Sequence, residues 1–209
     1  MGKNSNAKKG KKFRTNMYQT LVLCAIMPVF IGATLITLTL TNQAGKSLTT
    51  SMTHYIHSYT IAQGVALNDT VVSKGKELAL SRGTLDTLCK DIRIEGVDSS
   101  YCYVVDSTGT MLWHPTAEKI GQPVANEVVK GVCAKMAAGK QQENMTVEYE
   151  FNGSIKYASY YVAPDNSFVF VMSSDKDDAL AAIGTIKAIG WGIDIFTIIF
   201  FIKPNFCGA

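Results

Sequence analysis

At 209 residues the chain has room for one domain of ordinary size with accessory segments, and not for a large multidomain enzyme. With 47% hydrophobic and 18% charged residues it is too apolar for a disordered chain. The net charge of +3 divides unevenly: residues 1–17 carry six basic side chains and no acid, whereas 42–183 carry twelve basic against sixteen acidic, a net of −4. Such a body lacks the positive surface that a polyanion requires, so nucleic acid is excluded as a partner.

In chain order, the basic tail 1–17 precedes an uncharged run, Leu21–Leu40. Twenty helical residues at ~1.5 Å each match the thickness of a bilayer core, and the run is longer than a signal peptide needs. It predicts a first transmembrane helix over 18–41, with the tail in the cytoplasm by the positive-inside rule. Residues 42 to about 82 predict a helix continuing outward. Its apolar stripe runs through Leu48, Met52, Tyr55, Ile56, Tyr59, Ala62 and Ala66. A second copy of that helix is one way to cover the stripe, which motivates a homodimer. Gly83 closes the stretch, and Leu85–Ile94 predicts a short second helix. His54 and His57, at i and i+3, have no evident third ligand, and no metal is expected.

From Ser100 the pattern turns to β. Tyr101–Val105 and Thr110–His114 flank the turn residues Asp106-Ser107-Thr108-Gly109 and predict a hairpin. Asn126–Ala138 returns to helical spacing. Three strands follow, Met145–Phe151, Ile155–Val162 and Phe168–Ser173, the first two joined by Asn152-Gly153. The expected fold class is α+β: a five-stranded antiparallel sheet covered on one face by the long helix, its other face left as a shallow cup. Aromatics crowd that cup: Tyr101, Tyr103, Trp113, Tyr149, Tyr157, Tyr160 and Tyr161. A last helix from about Asp177 feeds a second apolar run, Ala188–Ile202, which predicts a second transmembrane helix over 186–203 despite Asp194. Of five cysteines only Cys89, Cys102 and Cys133 fall in the body, where one disulfide at most could form.

The run Tyr103-Val-Val-Asp-Ser-Thr-Gly-Thr-Met-Leu-Trp-His-Pro115, followed by Ile120-Gly121, resembles the signature of Cache sensory domains. The closest likeness is to the single-Cache type of bacterial methyl-accepting chemotaxis receptors. It extends through Lys156-Tyr157, Tyr160-Tyr161-Val162 and Ser173-Ser174-Asp175. The resemblance implies a PAS-like extracytoplasmic sensor over 42–185 that binds a small molecule, of amino acid, carboxylate or amine class, and passes a movement into its last helix. It implies a multi-pass protein of the cell membrane with the sensory body outside, and 204–209 as the start of a shortened cytoplasmic linker.

Carried over residue by residue, the resemblance puts Tyr103 and His114 at the pocket and Asp175 where related domains hold a ligand's amino group. Asp106 and Gly109 shape the turn. Tyr101, Trp113, Tyr157 and Tyr160 join the candidate site on aromatic character and strand position. The Tyr, Arg and Trp-Tyr signature of amino-acid-binding double-Cache receptors is absent, which leaves ligand identity open. The same external domain also serves histidine kinases and cyclic-dinucleotide enzymes. A pilin-like subunit is a structural alternative, against which stand the missing Gly-Phe junction and early glutamate. No catalytic constellation stands out, and no enzyme activity or cofactor is expected.

Overall fold

The structure, a computed structural model, describes residues 17–140 and 142–206. The basic tail other than Met17, and residues 207–209, lie outside the described residues. The chain divides into two compact units, one being Ala44–Gly184 and the other combining the first part of the chain to Gln43 with the last from Thr185. In the latter, α1 (Met17–Lys74) and α6 (Ala181–Phe206) come close where Gly190 lies against Thr37 and Thr41.

The two transmembrane helices expected over 18–41 and 186–203 do not stand, and with them falls the multi-pass placement in the cell membrane. Among the described residues, no helix is long and apolar enough to cross a membrane. A span needs about 20 predominantly apolar residues. The stretch of α1 whose side chains are continuously described begins at Met27, is broken by Gly32 and by the hydroxyls of Thr34, Thr37 and Thr39, and meets Asn42 and Gln43. In α6, Lys187 and Asp194 interrupt the run.

The body follows the predicted order. After α1 come α2 (Lys76–Ala79), α3 (Arg82–Cys89), β1 (Tyr101–Asp106), β2 (Met111–Trp113), a single 3₁₀ turn at Ala117–Lys119 and α4 (Glu127–Ala137). Then follow β3 (Met145–Phe151), β4 (Ser154–Val162), β5 (Phe168–Asp175), α5 (Lys176–Ala179) and α6. The five strands form one antiparallel sheet in the order β2-β1-β5-β4-β3. Asn152 and Gly153, both at positive φ (52° and 78°), make the tight turn that the β3–β4 hairpin twist requires. The expected second helix starts earlier than Leu85 and stops at Cys89, and Gly83 sits inside it; α1 ends at Lys74 instead.

Each sheet face has its own apolar layer. Cys102, Val104, Trp113, Tyr157, Tyr161, Phe168, Phe170 and Met172 pack with Ile56, Leu67 and Val71 of α1. On the opposite face Tyr103, Val105, Ala158, Tyr160, Val162, Val169 and Val171 pack with Val129, Val132, Cys133 and Met136 of α4. Full burial of one large side chain stabilises the fold by ~1.5–3 kcal/mol, so these layers dominate its stability.

The buried stripe of α1 is Ile56, Thr60, Gly64, Leu67 and Val71, whereas Leu48, Tyr55, Ala62 and Ala66 are exposed. Of the expected stripe Ile56 is buried and Met52 and Tyr59 pack half-buried against the same layer, so the face is kept in part and rotated toward Thr60, Gly64 and Leu67. Thr60 can be buried because its hydroxyl donates to the Ile56 carbonyl at 2.7 Å. Gly64 belongs to the stripe because nothing larger fits: a Cβ there would lie 2.3 Å from Cγ of Tyr161. Gly64→Ala is therefore expected to destabilise the chain. Overpacking of this kind costs ~1–3 kcal/mol, more than the ~1 kcal/mol that alanine gains in helix propensity. Urea unfolding should show a lower midpoint for the variant; an unchanged or higher midpoint would contradict this packing.

Candidate functional site

The site begins with an irregularity in the β1–β2 hairpin. Asp106 shapes its tip: Oδ1 accepts from the Thr108 amide (2.8 Å), the Thr110 amide (2.9 Å) and the Thr108 hydroxyl (2.6 Å). The register is Val105↔Met111 but Val104↔Trp113, so Leu112 is an extra residue on β2, a β-bulge. Because side chains alternate with period two, one extra residue exchanges the faces of all that follows. Trp113 is thereby turned to the α1 side, where its indole donates to Asp86 Oδ1 at 3.4 Å. His114 is turned to the α4 side, with its ring 5.3 Å from that of Tyr101 and 5.9 Å from that of Tyr103.

The segment after His114 folds back along β2. The Met111 amide donates to the Gln122 carbonyl (2.9 Å), Gly121 to Met111 (2.8 Å) and Val124 to Gly109 (2.8 Å). This carries Lys119 and residues 122–126 over the sheet. Asn126 then caps α4, its Oδ1 accepting from the Val128 amide at 2.9 Å, while its amide nitrogen donates to the Tyr103 hydroxyl at 3.4 Å. From the far edge, Tyr149 of β3 reaches inward to within 3.1 Å of the Ser173 hydroxyl on β5. Together these groups form a half-open cavity of about 120 Å³ lined by Tyr101, Tyr103, Met111, His114, Lys119, Gln122–Asn126, Tyr149 and Phe151.

Its electrostatics favour an anion. Lys119 is the one charged side chain in the lining, and no carboxylate is there. Burial, aided by Lys119, pushes the His114 imidazole down to about 4 from its ordinary 6.5. The ring is therefore neutral at neutral pH. Nδ1 accepts from the Thr116 amide at 2.9 Å, which assigns the ring proton to Nε2. Burial, with Tyr149 nearby, holds the Tyr103 phenol well above its ordinary range, and burial, with Tyr101 and the Asp175 carboxylate nearby, raises that of Tyr149, so both remain protonated hydroxyls. The wall thus offers N–H and O–H donors and a single cation.

Of the seven residues read from the sequence, Tyr101, Tyr103 and His114 line this cavity. Tyr160 shares their face but is buried in the layer under α4. Asp175 stands at the rim of the same face, one register row beyond Tyr101, in an ion pair with Lys156. Trp113 and Tyr157 point to the α1 side and do not reach the cavity. Lys119 and Asn126 were not read from the sequence, because a loop lysine and a helix cap carry no periodic signal. Tyr149 figured only among the crowded aromatics.

His54 and His57 line a separate open groove with Thr49, Thr53 and Thr146. Among the described residues no group of three or more His, Cys, Asp or Glu is placed to hold a metal ion.

No family model matches the chain, and no curated protein matches it. Solved structures do. The chain is similar to the ligand-binding domain of Mlp24 with asparagine, at 17% identity over 49% of this chain, TM-score 0.37. It is similar to the ligand-binding domain of the Pseudomonas aeruginosa PAO1 amino acid chemoreceptor PctC in complex with GABA, at 18% over 44%, TM-score 0.32. The ligand-binding domain of the Pseudomonas fluorescens chemoreceptor CtaA in complex with L-isoleucine matches at 18% over 48%, TM-score 0.30. The chain spans 38% of the length of each of these three structures. Extracellular domains of histidine kinases also match.

The depressed His114 pKa fixes a pH dependence. Between pH ~6.5 and ~4 the unfolded chain takes up a proton that folded His114 refuses, so stability falls as pH falls. His114→Gln should remove this component. Urea midpoints measured from pH 7.5 to 4 should converge between the two proteins as pH drops; parallel profiles would mean that His114 is not buried as described.

Proposed function

We propose that the body is a non-enzymatic sensor that binds a small carboxylate in the cavity between β1, β2, β3 and α4. The observation that carries this reading is the lining itself: Lys119, the Nε2–H of neutral His114 and tyrosine hydroxyls converge there with no acidic side chain. A carboxylate accepts from all of them, and charge-assisted hydrogen bonds are the stronger kind. The volume of about 120 Å³ suits a small organic acid rather than a drug-sized ligand.

Occupancy acts by differential affinity. A ligand that holds β1 and the 119–126 segment together favours whichever arrangement of the sheet brings them closest. Central strand β5 lies between β1 and β4 and runs directly into α5 and α6, a continuity that supports the last helix as the output. The chain acts as a homodimer through the outer face of α1, where Leu48, Tyr55, Val65 and Val72 stay exposed. Asp175 is assigned to the amino group of an amino acid, should the carboxylate belong to one.

Thermal-shift measurements on the full chain test this reading, because a ligand that binds only the folded state raises Tm. Small monocarboxylates and amino acids are expected to raise it and simple amines are not, and His114→Ala with Lys119→Ala should abolish the shift. Asp175→Asn should weaken an amino acid but not the matching carboxylate. Sedimentation of the same samples should show a dimer that Tyr55→Lys dissociates. A shift by amines alone, or one that survives the double substitution, would refute the site; a monomer at every concentration would refute the pairing.

A further inference from the structure

Two thiols meet under the sheet. Cys89 is the last residue of α3 and Cys102 the second of β1, and both are buried in the layer beneath α1, at 1% and 0% exposure. The Cys102 thiol donates to the Cys89 carbonyl at 3.5 Å, and the Cys89 side chain is the foremost influence on that thiol. The third cysteine of the body, Cys133, lies in the opposite layer under α4, so the sheet separates it from both. Of the three pairings that three cysteines allow, only one joins neighbours.

We propose that Cys89 and Cys102 form a disulfide that bolts α3 to the central part of the sheet. The oxidant is a disulfide of the thiol-oxidase or glutathione class. One thiol of the pair, as thiolate, attacks that disulfide, forms a mixed disulfide and releases the first oxidant thiol. The second thiolate then attacks the mixed disulfide, the Sγ–Sγ bond closes and the second oxidant thiol leaves. The pair has lost two protons and two electrons, and the oxidant has become two thiols.

Burial dictates when this happens. In the folded chain neither sulfur is accessible, and the adjacent Cys89 side chain together with burial holds the Cys102 thiol far above its ordinary range. The exchange therefore takes place while α3 is still detached from β1, and folding afterwards seals whichever redox state was reached. The consequence reaches the other face. Tyr101 and Tyr103 flank Cys102 on β1 and point into the cavity, so the bond would pin the strand that presents two of its hydroxyls. Nothing in this inference depends on what the cavity binds.

The test refolds the full chain from reduced, denatured protein in a glutathione redox buffer. Free thiols are alkylated in denaturant and the digest is mapped by mass spectrometry without reductant. The expected result is a Cys89–Cys102 linked peptide, lighter by two hydrogens than its reduced parts, with Cys133 alkylated. Tm should lie several degrees above that of chain refolded with reductant, since the link shortens the unfolded ensemble's freedom. Cys133→Ser should leave the link intact. Alkylation of all three thiols after oxidative refolding, or a link that includes Cys133, would overturn the proposal.

Discussion

One inserted residue decides what each face of this sheet can do. Were β2 to continue in regular register from Val105↔Met111, Trp113 would stand opposite Tyr103 in the cup and His114 would be driven into the layer beneath α1. There a ring with two nitrogens would find few partners, while in the cup a large indole would fill the cavity. The bulge at Leu112 exchanges them. The indole goes to the side where α1 and α3 already provide apolar cover, and the imidazole goes to the side where the backbone of Thr116 can take one nitrogen. The cavity exists because a small polar ring occupies the place an indole would otherwise fill.

The remaining parts of the site follow from that exchange. With β2 kinked, the chain after Pro115 returns along its outer edge and pairs back to Met111 and Gly109, which delivers Lys119 and Asn126 above the tyrosines. Asn126 works twice, ending the loop as the cap of α4 and meeting the Tyr103 hydroxyl. Loss of this side chain would loosen both the helix start and the cavity wall. The α1 side, by contrast, is closed by direct packing, with Gly64 admitting the Tyr161 ring and the Cys89–Cys102 contact filling the end of the layer.

Much of the architecture was legible in the sequence because it rests on local signals. The period-two runs around Asn152-Gly153 and Asp106–Gly109 give the strands and turns, and the helical spacing of Val128, Val129, Val132 and Met136 gives α4. The face of α1 was misread in part because its buried stripe contains a threonine and a glycine. Both enter for reasons that only the partner surface reveals, a satisfied hydroxyl and a close approach. Trp113 and His114 are adjacent in sequence with opposite fates, and no alternation rule distinguishes them without the bulge. Lys119 and Asn126 owe their positions to a loop returning along an edge strand, which leaves no periodicity. The apolar runs near both ends suggested membrane spans by their length and apolar character, and no described helix is both long and apolar enough to cross a membrane.

The central claim, that the two sheet faces are chemically distinct and that only the α4 face receives a guest, is tested most directly by nitrogen-15 NMR of the full chain during titration with acetate. The indole of Trp113 is identified by its loss in Trp113→Phe, and the imidazole of His114 by its loss in His114→Gln. The account predicts that the His114 ring nitrogens shift with acetate in a saturable way while the Trp113 indole stays fixed. A Trp113 indole that moves while His114 does not would place the guest on the wrong side of the sheet and contradict it.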